Sequence, residues 1–205
     1  MNYSPELKES LLRRKLPPNN ESITKIGREE QRFLVAVLAD YLSSRVSDHP
    51  NDLNWEELFL LSEQHQVSGI VYAQCRNSLF QQAYYATIAN YMKRKEAIAL
   101  LAKTLREYEI DFFLVKGPVV AEYYPVPALR TMGDVDVVVH PEDRERVRDI
   151  LFEIGFTTDG IMGEYEWHFY YGNLLFELHD RLVYDQVANE TILWIMTKPS
   201  STPSL

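Results

Sequence analysis

The sequence contains a single cysteine, Cys75, among 205 residues, and it has no hydrophobic run long enough to cross a membrane. One cysteine excludes an internal disulfide framework and a cysteine-based zinc cluster. A membrane-spanning helix needs about 20 consecutive apolar residues. The opening segment, residues 1–20, also lacks the apolar core of a secretory signal peptide. These absences predict a cytoplasmic location and no membrane partner.

Basic residues are scarce relative to acidic ones. The chain has 21 Lys and Arg residues against 30 Asp and Glu residues, which gives a formal net charge of −9 at pH 7. A broad surface that holds duplex DNA through its phosphates requires an excess of positive charge. The sequence therefore argues against duplex DNA as a partner. Hydrophobic residues make up 46% of the chain, which is typical of a globular protein with a substantial core.

Hydrophobic residues recur at helical spacing through the first half of the chain. Three blocks show the pattern, at residues 27–46, 55–75 and 82–108, and polar or proline-containing segments separate them. Basic runs within these blocks, such as Lys93–Lys95, are interpreted as solvated helix faces. The pattern predicts an N-terminal helical region over residues 1–108, packed on the rest of the protein.

The pattern changes after residue 108, where strand-forming segments begin. Short apolar, alternating and aromatic runs predict strands, and helix-start signals lie between them. The predicted elements are a strand over Ile110–Val115, a helix from Gly117, a strand over Asp134–Val139, a helix from Pro141, and strands over Glu164–Tyr171 and Leu174–Leu182. We therefore predict an α+β core with a small mixed sheet over residues 109–190.

The C-terminal residues differ in composition from this core. Residues 197–205 are rich in Ser, Thr and Pro, so the segment 191–205 is predicted to be a partly disordered tail. An apolar patch, Ile192–Met196, lies just before that stretch. Burial of this patch against a second copy of the chain would give a homo-oligomer.

Two aspartates lie two residues apart in the predicted strand DVDVVV. Side chains at that spacing project from the same face, so the carboxylates of Asp134 and Asp136 lie side by side and repel each other. A divalent cation such as Mg²⁺ relieves the repulsion, because it binds carboxylate oxygens together with substrate phosphates. Gly133 leaves room for a ligand beside the first aspartate. The segment predicts a metal site, with a solvated strand end as the alternative.

A third acidic side chain interrupts a later strand. In the segment LLFELHDRL, alternation places Glu177 and His179 on one face and apolar residues on the other. An acid in the middle of a strand needs a partner. Either a metal or an ion pair with Lys116 or Arg181 supplies one. His168 and His179 are interpreted as hydrogen-bonded structural residues.

The turn after the first predicted strand offers a place for an anion. Gly117 and Pro118 begin a predicted helix whose first backbone N–H groups are free to bind phosphate. Lys116 precedes this turn, and Arg130 lies close in sequence to the aspartates. Both cations either neutralise a phosphate or pair structurally with the aspartates.

Taken in order, these segments resemble the bacterial uncharacterised nucleotidyltransferase family, which belongs to the DNA polymerase β-like nucleotidyltransferase superfamily. The resemblance spans about residues 53–185. The features that carry it are Lys116-Gly117, the run YYPVPALR, Gly133-Asp134-Val135-Asp136, a helix that ends at Gly155-Phe156, and ELH at residues 177–179. It implies a polymerase β-like core preceded by the N-terminal helical region.

The resemblance also implies a reaction and its residues. Asp134, Asp136 and Glu177 correspond to the catalytic and metal-binding carboxylates. The predicted nucleotide-binding residues are Lys116, Gly117, Arg130 and Gly133. The implied reaction transfers a nucleoside monophosphate from a nucleoside triphosphate, ATP included, to an acceptor hydroxyl and releases pyrophosphate. Two Mg²⁺ ions, or Mn²⁺ in their place, serve as cofactors, and the acceptor is a small molecule, an RNA end or a protein.

A second hypothesis makes the protein a binding module. The superfamily turn commonly reads Gly-Ser or Gly-Gly, whereas this chain has Gly117-Pro118. The resemblance also leads us to expect a further helical region in relatives, beyond the point where this sequence stops. Both differences favour a catalytically degenerate nucleotidyltransferase fold that binds a nucleotide or a protein partner. The three acidic residues favour the enzyme, because a pure binding module has little need for closely spaced carboxylates.

Overall fold

A computed structural model describes residues 27–48, 50 and 52–181 of the chain. The predicted tail, 191–205, lies outside these residues, and so does the apolar patch Ile192–Met196 within it. The predicted homo-oligomer therefore stays a prediction. No helix in the described ranges is both long enough and apolar enough to cross a membrane.

The described residues divide into two compact units. The first unit contains the described residues up to Met92 together with Tyr124–Thr131. The second unit contains Lys93–Tyr123 and the described residues from Met132 onward. The domain boundary predicted after residue 108 stays a prediction.

The first unit is built from helices, as the periodicity predicts. Its helices are α1 (Arg28–Leu42), α2 (Trp55–Gln64), α3 (Ser68–Cys75) and the beginning of α4 (Gln81–Glu107). Asn54 caps α2, because its side chain accepts a hydrogen bond from the Glu57 N–H at 3.2 Å. The predicted block 55–75 is two helices, since Gln66 between them has a positive φ of 56° that no α-helix accommodates.

The core of the first unit is aliphatic and aromatic. Val37, Leu58, Val71 and Phe80 are fully buried there. The rings of Phe59 and Phe80 meet edge to face, with centroids 5.4 Å apart, which is a favourable aromatic geometry. The helical spacing of these residues in the sequence therefore reflects one shared hydrophobic core.

The second unit contains a four-stranded mixed sheet, which confirms the predicted fold class. Its strands are β1 (Phe112–Val115), β2 (Asp134–Val139), β3 (Glu166–Tyr171) and β4 (Leu174–His179), in the spatial order β1-β2-β4-β3. The β2–β4 pair is parallel, and the other two pairs are antiparallel. A short helix α5 (Gly117–Ala121) follows β1, and α6 (Arg144–Glu153) follows β2.

One face of this sheet forms the second hydrophobic core. Val135, Val137 and Val139 of β2 point into it, as the alternation predicts. They pack in the same cluster as Leu101 of α4 and Val147 of α6. Because strand side chains alternate, the acidic residues of β2 belong to the opposite face. The fold thereby separates an apolar face covered by helices from a polar face that carries the candidate site.

Candidate functional site

The polar face of the sheet carries titratable side chains in one row. Parallel pairing of β2 and β4 places Asp136 opposite Glu177, and antiparallel pairing of β4 and β3 places Glu177 opposite His168. On the other side of β2, Val115 pairs with Asp136. Paired residues on neighbouring strands project to the same face. The register therefore places Asp136, Glu177 and His168 in one row across the central strands of the sheet.

Asp136 is the most deeply buried member of the row, with a side chain only 1% exposed. Its Oδ1 accepts a hydrogen bond from the Lys116 ammonium and lies 3.2 Å from Nε2 of His179. Its Oδ2 is buried as well, and it has no hydrogen-bond partner among the residues that the structure describes. A buried carboxylate oxygen without a donor is costly, so this atom needs a cation or a proton.

Lys116 reaches Asp136 from an unusual backbone conformation. Its φ of 52° and ψ of −106° are values that residues with a side chain rarely adopt. The hydrogen bond to Asp136 raises the pKa of Lys116, while partial burial acts in the opposite direction. Lys116 is therefore protonated at neutral pH. Because its side chain is 67% exposed, the ammonium has room to move between Asp136 and solvent.

Glu177 and His179 lie two residues apart on β4, each with a side chain 16% exposed. Burial raises the pKa of Glu177, the charges of Asp134, Glu166 and Asp136 raise it further, and His179 lowers it. Nε2 of His179 lies 3.5 Å from Oε2 of Glu177. One ligand atom from each of Asp136, Glu177 and His179 lies within 4.8 Å of the others. We refer to these three residues as the sheet triad.

Asp134 lies on the same strand face as Asp136 but at its more exposed end. It is partly exposed, and it is not a member of the sheet triad. Burial is the main cause of the raised pKa of Glu177, and the hydrogen bond to Asp136 is the main cause of the raised pKa of Lys116; the charge of Asp134 adds to both. Burial lowers the pKa of Arg94, and the charge of Asp134 partly offsets that effect. The structure thus places Asp134 beside the triad, and its predicted role as a metal ligand stays a prediction.

Arg94 of α4 belongs to the surroundings of this strand, which the charge pattern of its basic run did not indicate. It is buried, so the interpretation of its basic run as a solvated face is wrong for this residue. Its Nη2 donates a hydrogen bond to the carbonyl of Met132 at 2.8 Å, just before β2 begins. Burial lowers its pKa, and the charge of Asp134 raises it. Arg94 therefore places a buried positive charge near the start of β2.

The remaining predicted nucleotide-binding residues have different surroundings. A Cβ at Gly117 would lie 3.2 Å from Sδ of Met132, so the glycine permits a close approach between the turn and the chain before β2. A Cβ at Gly133 would meet no described atom within 4 Å. Arg130 belongs to the first unit, where its Nη1 donates to the Thr131 carbonyl at 3.0 Å. Their nucleotide-binding roles stay predictions.

His179 is the residue that sequence reasoning undervalued. Its position two residues after Glu177 predicted a shared face, and the structure confirms that alternation. A lone histidine is more often structural, and the sequence does not show that β4 pairs in parallel with β2. That pairing places Val138 opposite His179 and brings the imidazole to Asp136. The missing information was the strand partner, which is a non-local property of the fold.

The donor set of the sheet triad fits a divalent cation. Two carboxylates and one imidazole are common ligands of first-row divalent metals. Oδ2 of Asp136 is a buried oxygen that no protein donor satisfies in the described part of the chain. Lys116 and Arg94 supply two positive charges against three carboxylates at Asp134, Asp136 and Glu177. The site therefore has surplus negative charge that a cation would neutralise.

Comparison with known proteins adds one match. A family model described as uncharacterised nucleotidyltransferase matches residues 51–200. The matched region contains the whole sheet triad together with Asp134 and Lys116. No curated protein and no solved structure gives a significant match to the chain.

Proposed function

Because this chain belongs to the uncharacterised nucleotidyltransferase family, we propose that it is a metal-dependent enzyme that moves a nucleoside monophosphate from a nucleoside triphosphate to an acceptor hydroxyl. Pyrophosphate is the leaving group of this reaction. Family membership supports nucleotidyl transfer in general. The observation that carries the metal dependence is the buried, unpartnered Oδ2 of Asp136 among other carboxylates.

Three carboxylates hold the cation in this proposal: Asp134, Asp136 and Glu177. The raised pKa of Glu177 reflects burial and then repulsion from neighbouring acids, and that repulsion favours cation binding at the same place. A bound Mg²⁺ or Mn²⁺ supplies positive charge that stabilises charge developing on phosphate oxygens and lowers the pKa of an acceptor hydroxyl. The predicted pair of ions would share these carboxylates.

Glu177 also has the properties of a proton acceptor. Glu177 lies on the polar face of the sheet opposite Asp136, and a carboxylate held beside an acceptor hydroxyl can act as its general base. In the proposed reaction Glu177 takes the proton of the acceptor hydroxyl as the hydroxyl oxygen forms a bond to the α-phosphorus. The bond from that phosphorus to the pyrophosphate oxygen breaks, and the nucleotidylated acceptor and pyrophosphate are the products.

Lys116 is the proposed triphosphate-binding residue of the second unit. It carries a full positive charge on a mostly exposed side chain next to the carboxylates. When a triphosphate binds, the ammonium turns from Asp136 toward the phosphate oxygens, for which it is a suitable point charge. The open space at Gly133 leaves room for the nucleotide close to the backbone.

The acceptor hydroxyl in this proposal belongs to a small molecule, an RNA end or a protein. One contact favours the alternative of a catalytically degenerate module that binds a nucleotide or a protein partner. The Lys116–Asp136 ion pair satisfies Oδ1 of Asp136 without a metal, and a permanent pair would leave the site inert. The two functions differ in whether metal-dependent nucleotide binding exists.

Calorimetric titration with non-hydrolysable analogues of the four nucleoside triphosphates, with and without Mg²⁺ or Mn²⁺, tests the proposal. We expect metal-dependent binding by the wild type and a loss of at least roughly tenfold in Asp136→Asn, because the variant removes the buried charge that a cation would neutralise. Asp134→Asn should weaken binding in the same direction.

Asp111→Asn is the matched control, because Asp111 is an exposed acid of the second unit outside the site. It removes one negative charge and should bind nucleotide as the wild type does. Nucleotide binding that is independent of metal, or equal in the wild type and Asp136→Asn, would support the degenerate module and overturn the metal assignment.

A further inference from the structure

His179 lies where a metal ligand would lie. Alternation along β4 places it on the face of Glu177, and the parallel register with β2 brings it to Asp136. Its Nε2 is 3.2 Å from Oδ1 of Asp136 and 3.5 Å from Oε2 of Glu177. One imidazole nitrogen is therefore within reach of two carboxylates, one on each of two neighbouring strands.

These separations match the edges of a coordination polyhedron. Ligand bonds of about 2.1–2.2 Å at right angles place neighbouring ligand atoms about 3.0–3.1 Å apart. The two distances from the His179 nitrogen exceed that edge by only a few tenths of an ångström. The ligand atoms of Asp136 and Glu177 lie within 4.8 Å of each other. Side-chain rotations that bring these two carboxylates closer would place all three donor atoms around a common cation, with no change in the strand register.

A second observation points to a cation rather than to a simple hydrogen bond. The hydrogen bond that His179 is placed to make goes to Oδ1 of Asp136, which already accepts from Lys116. The unsatisfied atom is Oδ2, in a side chain that is only 1% exposed. A histidine that served only to satisfy Asp136 would leave this oxygen without a partner, whereas a cation bound to the carboxylate satisfies it.

We propose that His179 is a nitrogen ligand of the metal and that the sheet triad consequently binds Mn²⁺ in preference to Mg²⁺. This inference rests on the proposed function, since it specifies the cation of the same site. Mg²⁺ prefers an all-oxygen environment, whereas imidazole is a good ligand for first-row transition metals. Mn²⁺ accepts carboxylate oxygens as readily as Mg²⁺ does and tolerates nitrogen better. Adding the imidazole of His179 to the carboxylates of the site therefore favours Mn²⁺ over Mg²⁺.

His168 provides a matched control from the same sheet. Its side chain is 16% exposed, like that of His179, and it also lies beside Glu177. Its Nε2 is 3.9 Å from Oε1 of Glu177, and it is not a member of the sheet triad. Removal of His168 therefore perturbs the same region and the same carboxylate without removing the proposed ligand.

The test is pulsed electron paramagnetic resonance of the full chain with Mn²⁺ alone. Direct coordination by imidazole gives nitrogen modulation of the Mn²⁺ echo, and labelling the histidines with ¹⁵N changes its frequencies. We expect this signal in the wild type and in His168→Gln, and its loss in His179→Gln. In parallel titrations we expect a Mn²⁺ affinity at least roughly tenfold above the Mg²⁺ affinity in the wild type, and a smaller ratio in His179→Gln.

The possible outcomes distinguish this inference from the proposed function on which it rests. Bound Mn²⁺ without nitrogen modulation in the wild type, or equal affinities for both ions, overturns the role of His179 and leaves an all-carboxylate metal site in place. Absence of metal-dependent nucleotide binding with either ion overturns the proposed function as well. The isotope measurement uses the wild type, so the inference stays testable even if His179→Gln fails to fold.

Discussion

Asp136 is contacted by side chains from two different elements. Lys116 comes from the turn after β1, and His179 comes from the end of β4. Electrostatic interactions are stronger at a buried carboxylate than at an exposed one, because water screens them less. An ammonium and a divalent cation therefore compete for the same carboxylate. The balance shifts toward the metal when phosphates attract the lysine.

We expect Lys116→Met to tighten Mn²⁺ binding in the absence of nucleotide by roughly three- to tenfold, because the variant removes a competing positive charge. The same variant should weaken the binding of a non-hydrolysable triphosphate more than that of the monophosphate, since the longer anion carries more charge for the lysine to bind. Calorimetric titration of each ligand measures both effects.

Lys95→Met serves as the control for the lysine substitution, because it removes the same charge from an exposed position of α4. It should change neither affinity. If Lys116→Met loses monophosphate and triphosphate binding equally and gains no affinity for Mn²⁺, the lysine is a structural partner of Asp136 and not a phosphate ligand.

At the scale of elements, local pattern predicts most of the second unit. The alternation in DVDVVV and LLFELH predicts β2 and β4 with their polar and apolar faces, and the structure confirms both. These patterns succeed because burial on one side of a strand selects every second residue. They carry no information on strand order. The parallel β2–β4 pair joins segments far apart in the chain, and it creates the sheet triad.

The helical spacing of apolar residues indicates that Arg94 is buried, whereas the run of basic residues suggests that it is exposed. Arg94 lies three residues before Ala97 and seven before Leu101, and all three are buried on α4. Residues at this spacing share one helix face. Two neighbouring lysines suggested a solvated run, whereas the arginine belongs to the buried stripe. Its hydrogen bond to Met132 connects α4 to the start of the metal-site strand.

A buried ion pair connects α6 to the end of β4. The Arg144 and Asp180 side chains are 10% and 8% exposed, and Nη1 of Arg144 donates to Oδ2 of Asp180 at 2.8 Å. The same guanidinium donates to the carbonyls of Glu164 and Gly163 and lies 4.2 Å from the centre of the Trp167 ring. We expect Arg144→Met to lower the free energy of unfolding by about 2–3 kcal/mol, because Oδ2 of Asp180 and two backbone carbonyls lose their donor, while Oδ1 of Asp180 keeps the hydrogen bond from Arg181 at 2.8 Å. Urea denaturation measures the loss.

Arg148→Met is the comparison on the same helix. Arg148 pairs with the exposed Glu145 one turn away, and exposed pairs contribute only about 0–1 kcal/mol. Adding Asp180→Leu to Arg144→Met should recover part of the stability, since it removes a buried carboxylate that retains only the more exposed Arg181 as a partner. A loss in Arg144→Met no larger than that in Arg148→Met contradicts the assignment of a buried, stabilising pair.

For the whole molecule, the negative net charge means that nucleotide binding depends on positive charges close to the site. The protein carries a formal charge of −9 at pH 7, so it repels a triphosphate at long range. Salt screens that repulsion beyond about 8–10 Å, and binding then depends on charges close to the site. Lys116 and a bound cation supply them within the second unit. We therefore expect nucleotide binding to depend more strongly on the bound metal than on the total number of lysines.

The division into two units makes a calorimetric prediction. Every residue of the sheet triad belongs to the second unit, and a ligand stabilises the part of the protein that must be folded to bind it. At free ligand concentrations of about 100 times Kd, Mn²⁺ with a non-hydrolysable triphosphate should add about 2.7 kcal/mol, which raises the Tm by roughly 5–10 °C. If scanning calorimetry resolves two transitions, only one should shift. Asp136→Asn should show a clearly smaller shift at the same ligand concentrations, because it lacks the buried carboxylate. An equal shift in that variant would mean that the ligands act outside the sheet triad.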